Sequence, residues 1–466
     1  MKKLLSLVLV CCMGLSMVGC SNNTTTSEVQ LLKDNVTVKD YLTMVEGIAY
    51  DLYNTSSLSV KFSMAGSLSD KKRTDYIYEK FNEIGLTNVK KVPIMLNSWE
   101  YTGVKMVSNC NCSDDTNVTM RIMGSYPAAF EYKDTKYVLH RVETNSDITQ
   151  ANIENFAVLL PEVKDIAEIE RLANAVAVYN PALIIYGSVH SDSSNMYEVN
   201  TNYFKDVNCP IFVLPIRSYE KLNFYFNNSE KKDTPLELTL NGASYISDDL
   251  VESNFVMGEI EGKSKDKVVY VTAHQDSIHS GYMGSCVSVA ELIAIADKLI
   301  SDGVKPDYTI RFMVTTGQEW GLMNEGQNVG IKTYLNSLSE KELGNIQSVL
   351  VLDGSYPLVD SVFLETRVSN TSILEKVKLY NTNYFAKNNI RFINDVISLD
   401  ESSKYVTEAT VWNEKGVDTV LSSEPNNSRF SFNNTSLDTY SLDIDEALLS
   451  HNILYYSGLV KIMANK

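Results

Sequence analysis

Two kinds of hydrophobic spacing divide the chain. Near the start, Tyr41 to Leu52 and Lys71 to Ile84 place apolar residues three and four apart, which predicts helices, and the second stops at Gly85 as a helix C-terminus does. Lys90 to Leu96 then alternates as a strand. From about Asn117 to Thr234 the pattern is one of short β-rich runs: Lys136 to Val142, Phe156 to Leu160, Ala182 to Tyr186 and Ile211 to Leu214. Helical spacing within that stretch is clearest from Asp165 to Val178.

Beyond Phe255 strands and helices alternate. Lys267 to Ala273, Thr309 to Thr316 and Ser348 to Leu352 are apolar runs of buried-strand length, and Val287 to Ile300, Asn370 to Ala386 and Ile444 to Met463 have helical spacing. Alternation of this kind predicts an α/β fold, a mostly parallel sheet with helices on both faces. Ligands bind such sheets at the carboxyl ends of the strands. The polar residues just past the three apolar runs are His274 with Asp276, Gln318 with Glu319, and Asp353.

At 466 residues the chain exceeds one ordinary core, so two domains are expected. The change of texture gives the boundaries: an amino-terminal part of the sheet domain over 36–116, an inserted mostly β domain over 117–234, and the rest of the sheet domain over 235–466. A formal net charge of -17 argues against a nucleic-acid partner, which needs clustered Lys and Arg.

Residues 1–20 read as an export signal. Lys2 and Lys3 precede an apolar stretch, Leu4 to Leu15, too short to span a bilayer, and Gly19-Cys20 closes it. That ending resembles the lipobox of bacterial lipoproteins, which implies a lipid on Cys20 and attachment to a membrane at the cell surface. Residues 21–35 then read as a flexible tether. Cys110, Cys112, Cys209 and Cys286 remain, with a spacing that suits no zinc knuckle, and free or loosely paired thiols are expected.

One imidazole and several carboxylates brought to a single sheet edge suit Zn²⁺, which takes nitrogen and oxygen ligands. Ala273-His274-Gln275-Asp276-Ser277, Gln318-Glu319-Trp320-Gly321 and Val351-Leu352-Asp353-Gly354 together resemble the motifs of the co-catalytic di-zinc aminopeptidases, metallopeptidase family twenty-eight. That family includes leucyl aminopeptidases, glutamate carboxypeptidase and the transferrin receptor. The resemblance covers nearly all of the mature chain and implies a zinc-exopeptidase-like sheet with an inserted protease-associated domain. It also implies that His274, Glu319 and Asp353 stand at metal-ligand positions and that Asp276 braces His274.

Three other positions depart from the family pattern. Aligned on the downstream helix, Gly284 stands where an Asp bridges the two zincs; Gln318 replaces the general-base Glu, and Asn434 the last His. An amide takes no proton from water near neutral pH, and zinc needs three or four protein ligands to bind tightly. Zinc is therefore expected to be absent or weakly held. Histidines that could substitute in the catalytic half are His279, in a loop, and His451, within the apolar spacing of the terminal helix. A mononuclear site of His274, His279 and Asp353 is the alternative this leaves open. The expectation is a catalytically degenerate peptidase homologue serving as a binding or receptor-like module for a peptide or protein; the alternative is an active zinc aminopeptidase or related hydrolase with an altered metal site.

Overall fold

The structure is a computed structural model that describes residues 63–110, 118–143, 148, 153–163, 165–188, 203–204, 206–278, 281–323, 325–356, 363–388, 393–399, 407–423 and 446–466. The expected signal, Cys20, the tether, the Tyr41 to Leu52 helix, Cys112, His279 and Asn434 lie outside those residues.

The first described helix, α1 (Leu68–Glu83), begins where the Ser67 side chain accepts from the Asp70 N–H. It ends before Gly85, whose φ of 87° is a conformation other residues adopt only at a cost. Next come β1 (Thr87–Leu96), β2 (Trp99–Ser108), β3 (Val118–Gly124), β4 (Phe130–Arg141), β5 (Ala157–Leu159), α2 (Ile166–Ala177), β6 (Leu183–Gly187), β7 (Ile211–Leu214), α3 (Ile216–Lys231) and β8 (Glu237–Ile246). The remainder is β9 (Val251–Ile260), β10 (Ser264–His274), a π-turn (Tyr282–Cys286), α4 (Val287–Ser301), β11 (Tyr308–Thr315), α5 (Val329–Ser337), α6 (Glu340–Asn345), β12 (Ile346–Leu352), β13 (Phe363–Val368), α7 (Thr371–Asn388), β14 (Ile393–Ser398), α8 (Glu408–Glu414), β15 (Thr419–Ser423) and α9 (Glu446–Met463).

Eight strands form a mixed sheet in the order β1-β9-β11-β10-β12-β15-β13-β14. Its centre, β11-β10-β12-β15, is parallel. Along β10, Val269, Val271 and Ala273 enter one hydrophobic core with α4 and α9, while Val268 and Tyr270 enter another with α5 and α8. Because side chains alternate between faces and both faces are covered, the strand reads as an unbroken apolar run. Each of the buried valines contributes roughly 1.5–3 kcal/mol through burial.

Strands β2 to β8 close into a separate barrel in the order β2-β3-β7-β6-β5-β4-β8, between β1 and β9, which pair with each other in the large sheet. The barrel takes in β2 and β8 as well as the strands within 117–234, because those two hydrogen-bond along nearly their whole length. Their register shifts at Tyr101/Val104, where the Gly242 backbone crosses so close that an added Cβ would lie 2.1 Å from the Gly103 carbonyl oxygen. A glycine is required there. Of the cysteines expected to be free or loosely paired, Cys110 is disulfide-bonded, and Cys209 and Cys286 are buried thiols. Among the described residues no helix is long and apolar enough to cross a membrane.

Candidate functional site

The carboxyl ends of β10, β11 and β12 converge. β10 ends on His274, and β12 is followed directly by Asp353. The loop after β11 carries Gln318 and Glu319, and all four side chains are buried. His274 Nε2 lies 3.5 Å from Asp353 Oδ1. Its Nδ1 lies 2.9 Å from the Asp276 carbonyl oxygen and 3.6 Å from the Asp276 carboxylate. Burial works against a charge on this imidazole, yet Asp276 and Asp353 outweigh it and hold His274 protonated well above the ordinary histidine range.

Asp276 ties two strand ends together, accepting from the backbone N–H of Glu319 at 2.9 Å and of Gln318 at 3.3 Å. Gln318 Nε2 donates to Asp353 Oδ2 at 3.0 Å. A carboxylate is acceptor-only, so the amide must present its nitrogen there. The two oxygens of Asp353 are thus faced by an imidazolium and an amide N–H.

Beneath this cluster Asp70 and Arg73 of α1 hold the β10 end in place. Gly66 N–H and Gln275 Nε2 donate to Asp70 at 2.9 and 2.8 Å, Thr316 Oγ1 at 2.8 Å, and the Ser253 hydroxyl donates as well. Arg73 Nη1 donates to the Gln275 carbonyl oxygen at 2.7 Å. Sequence reading passed over both residues, although two charges on the buried face of an amphipathic helix are a signal that they have partners. It also passed over Glu408, the first residue of α8, which is buried with Oε1 held by Thr315 Oγ1 at 2.5 Å. Among the described residues Glu408 Oε2 has no hydrogen-bond partner, and burial pushes the carboxyl up to about 8. A short Thr-Glu-Ala start to a helix does not distinguish such a residue from an ordinary cap.

Gly284 lies in the π-turn, which begins at Gly281 in the left-handed region. A Cβ on Gly281 would fall 2.2 Å from Ser277 Cβ, so the turn presses on the His274 to Ser277 loop and offers it no side chain at Gly281 or Gly284. His451 is half-buried within α9, as its apolar spacing predicts.

The donor set does not fit a di-zinc centre. Of the described residues only His274, Glu319 and Asp353 stand at family ligand positions, and one oxygen of Asp353 accepts from an amide. Among the described residues no group of three or more His, Cys, Asp or Glu side chains is placed to hold a metal ion. What the cluster can do is join three strand ends and the α1 helix through charge-assisted hydrogen bonds. The barrel abuts the same loop: Trp99 packs edge-on against Trp320 at 6.5 Å, and Asn97 N–H donates to the Gly321 carbonyl oxygen at 2.7 Å.

Residues 255–456 match Peptidase family M28. A peptidase M28 precursor from Shewanella amazonensis SB2B superposes with a TM-score of 0.66 at 19% identity, over 94% of this chain and 98% of that one. The zinc aminopeptidase BSAP from Bacillus subtilis gives 0.64 at 17%, over 91% and 94%, and the aminopeptidase from Aneurinibacillus sp. strain AM-1 gives 0.58 at 14%, over 93% and 96%. At these identities the structural likeness concerns the fold, a mixed α/β architecture with helices flanking the sheet. No curated protein matches the chain in sequence.

Proposed function

We propose that the chain, whose residues 255–456 match Peptidase family M28, is a degenerate member of that family which binds a peptide or protein ligand without hydrolysing it. The observation that carries this reading is the hydrogen bond from Gln318 Nε2 to Asp353 Oδ2. A general base must accept a proton, whereas the Gln318 amide, aligned with the base position, presents an N–H that hydrogen-bonds to Asp353. Gly284 supplies no bridging carboxylate, and Asn434 would present an amide in place of an imidazole. Loss of a general base alone costs on the order of 100-fold to 10,000-fold in rate. The Gly19-Cys20 ending supports export and a lipid anchor at Cys20, which would put the binding module at the cell surface.

Purified protein is expected to hold less than one tightly bound zinc per chain and to show no aminopeptidase turnover above that of His274→Ala. The triple variant Gly284→Asp, Gln318→Glu, Asn434→His should recover zinc more readily than turnover, because ligands fix a metal whereas turnover also needs a pocket shaped for substrate. Two zinc ions per wild-type chain, with turnover that His274→Ala abolishes, would establish an active enzyme instead. For the anchor, Cys20→Ala is expected to release the protein from membranes or block its processing. Unchanged membrane retention and processing would remove that part of the proposal.

A further inference from the structure

Three segments meet at Asn97, where the chain passes from the large sheet into the barrel. The Asn97 N–H donates to the Gly321 carbonyl oxygen at 2.7 Å, and its side chain accepts from the Met323 N–H at 3.4 Å and donates to the Ser247 carbonyl oxygen at 2.9 Å. Residues 95–100, 245–252 and 321–326 are joined in this way, the last of them running on from Gln318 and Glu319.

Four of the nine large apolar side chains that are exposed among the described residues lie in these segments: Met95, Tyr245, Leu250 and Met323, each about half exposed. Each is bonded to Asn97 or lies within three residues of Asn97 or Ser247, so none is more than roughly 10 Å of chain from the junction. Single apolar residues on a surface need no explanation, whereas a group of them marks a surface that binds something.

Charge narrows the partner. Glu100, Asp248, Asp249, Glu252 and Glu325 are exposed in the same segments, which contain no Lys, Arg or His. Among the described residues none of the five is ion-paired, and Lys91, the nearest base along the chain, is taken by Asp75. The adjoining element is α1, whose preceding Gly66 abuts Leu96 and Val251; the carboxylates outnumber its exposed Lys71 and Lys72 five to two. Strand register interleaves acid with apolar: Met95 of β1 stands opposite Glu252 of β9, and Tyr245 of β8 opposite Glu100 of β2. Like charge, on a chain of net charge -17, disfavours a second copy and an anionic lipid face.

We propose that this surface docks a polypeptide segment in which Lys or Arg alternates with apolar residues, its apolar side chains on Met95, Tyr245, Leu250 and Met323 and its bases on the carboxylates between them. The proposal rests on the reading of the chain as a peptide-binding module, and it places the contact beside the His274 cluster, where neither zinc nor a free amino terminus is needed.

Fluorescence anisotropy on the full chain tests this with a labelled octapeptide of alternating Lys and Leu, acetylated and amidated, beside counterparts with Glu for Lys and with Ser for Leu. The basic apolar peptide should saturate and bind at least about tenfold tighter than either counterpart, because charge steers the encounter and apolar burial holds it. Met95→Ser with Leu250→Ser should weaken it about tenfold, and Asp248→Asn with Asp249→Asn at least about threefold. Glu220→Gln with Glu261→Gln, which removes the same charge from exposed positions elsewhere, should change it less than about twofold. Met323→Ser decides the apolar contact if the Met95 and Leu250 pair does not fold. No saturation, equal binding of either counterpart, undiminished binding by the folded apolar variant, or an equal loss from the Glu220 and Glu261 pair would overturn the proposal, as would a dimer that the Met95 and Leu250 substitutions disperse. A panel of acetylated peptides of mixed sequence separates the two readings: binding that these substitutions leave unmoved removes this surface alone, and no binding by any peptide removes the peptide-binding reading with it.

Discussion

Two buried polar clusters flank the end of β12 and supply their carboxyl groups with very different numbers of donors. On one side, Asp70 and Asp276 receive backbone N–H groups as well as side-chain donors, and Asp353 faces an imidazolium. On the other, among the described residues Glu291 of α4 accepts from the Ser355 hydroxyl and from Asn452 Nδ2, the latter at 3.1 Å, with the Tyr456 ring nearby. Burial pushes Glu291 up to about 8, against the lesser downward pull of Ser355 and Asn452. Burial raises Asp70 as well, against the downward pull of Ser253, Gly66 and Thr316, so the difference lies in the number of donors and not in the direction: even several converging donors do not cancel the desolvation of a fully buried carboxyl.

The strongest way to break the first cluster is Asp70→Ala. It would strand four donors, those of Gly66, Ser253, Gln275 and Thr316, and is expected to cost more than about 3 kcal/mol in urea unfolding. A loss under about 1 kcal/mol would mean that water or neighbours replace the carboxylate readily.

The second cluster is sharpened by pH. Because the folded-state value for Glu291 is raised from 4.5 to about 8, its contribution to stability is whole below the unfolded value and is lost as pH rises through the folded one. Between those limits one proton is worth about 1.4 kcal/mol per pH unit. Glu291→Gln mimics the protonated form, so its unfolding free energy should fall less steeply with pH than wild type over that window. Parallel pH profiles for the two proteins would show that Glu291 stays charged.

Gln318→Glu removes a donor from the first cluster and sets a second carboxyl against Asp353. With chelator present it should cost about 1–3 kcal/mol, read as a lowered melting temperature, and bring no aminopeptidase turnover. A melting temperature unchanged or raised in chelator would mean that the Gln318 to Asp353 bond contributes nothing. The smallest effect expected lies at the helix that braces the first cluster: Gly85→Ala, at φ 87° with open space around it, should cost about 1 kcal/mol from backbone strain alone.

The sequence was most legible where local physics acts alone. Apolar runs buried on both faces announced β10, β11 and β12, and helical spacing announced α1, α2, α4, α7 and α9, because periodicity follows from the backbone geometry of each element. It was less legible at β13 to β15, which are five or six residues long and carry too little pattern to stand out. The barrel's edges were also indistinct, since β2 and β8 are partners separated by more than a hundred residues and only pairing joins them.

The residues of the candidate site were named by their place just past the strand ends, which a parallel sheet makes a general address. Their state was not. That Gln318 donates to Asp353, that His274 is held protonated, and that Asp276 receives two backbone N–H groups depend on side chains from three strand ends meeting in space. Asp70, Arg73 and Glu408 likewise acquire a role only when α1 and α8 dock beneath those ends. Residue type and spacing along one chain determine which elements form and where polar groups emerge from them. Which donor meets which acceptor, and hence which groups remain charged, is decided by tertiary packing, because hydrogen bonding and desolvation depend on distances that sequence separation does not specify.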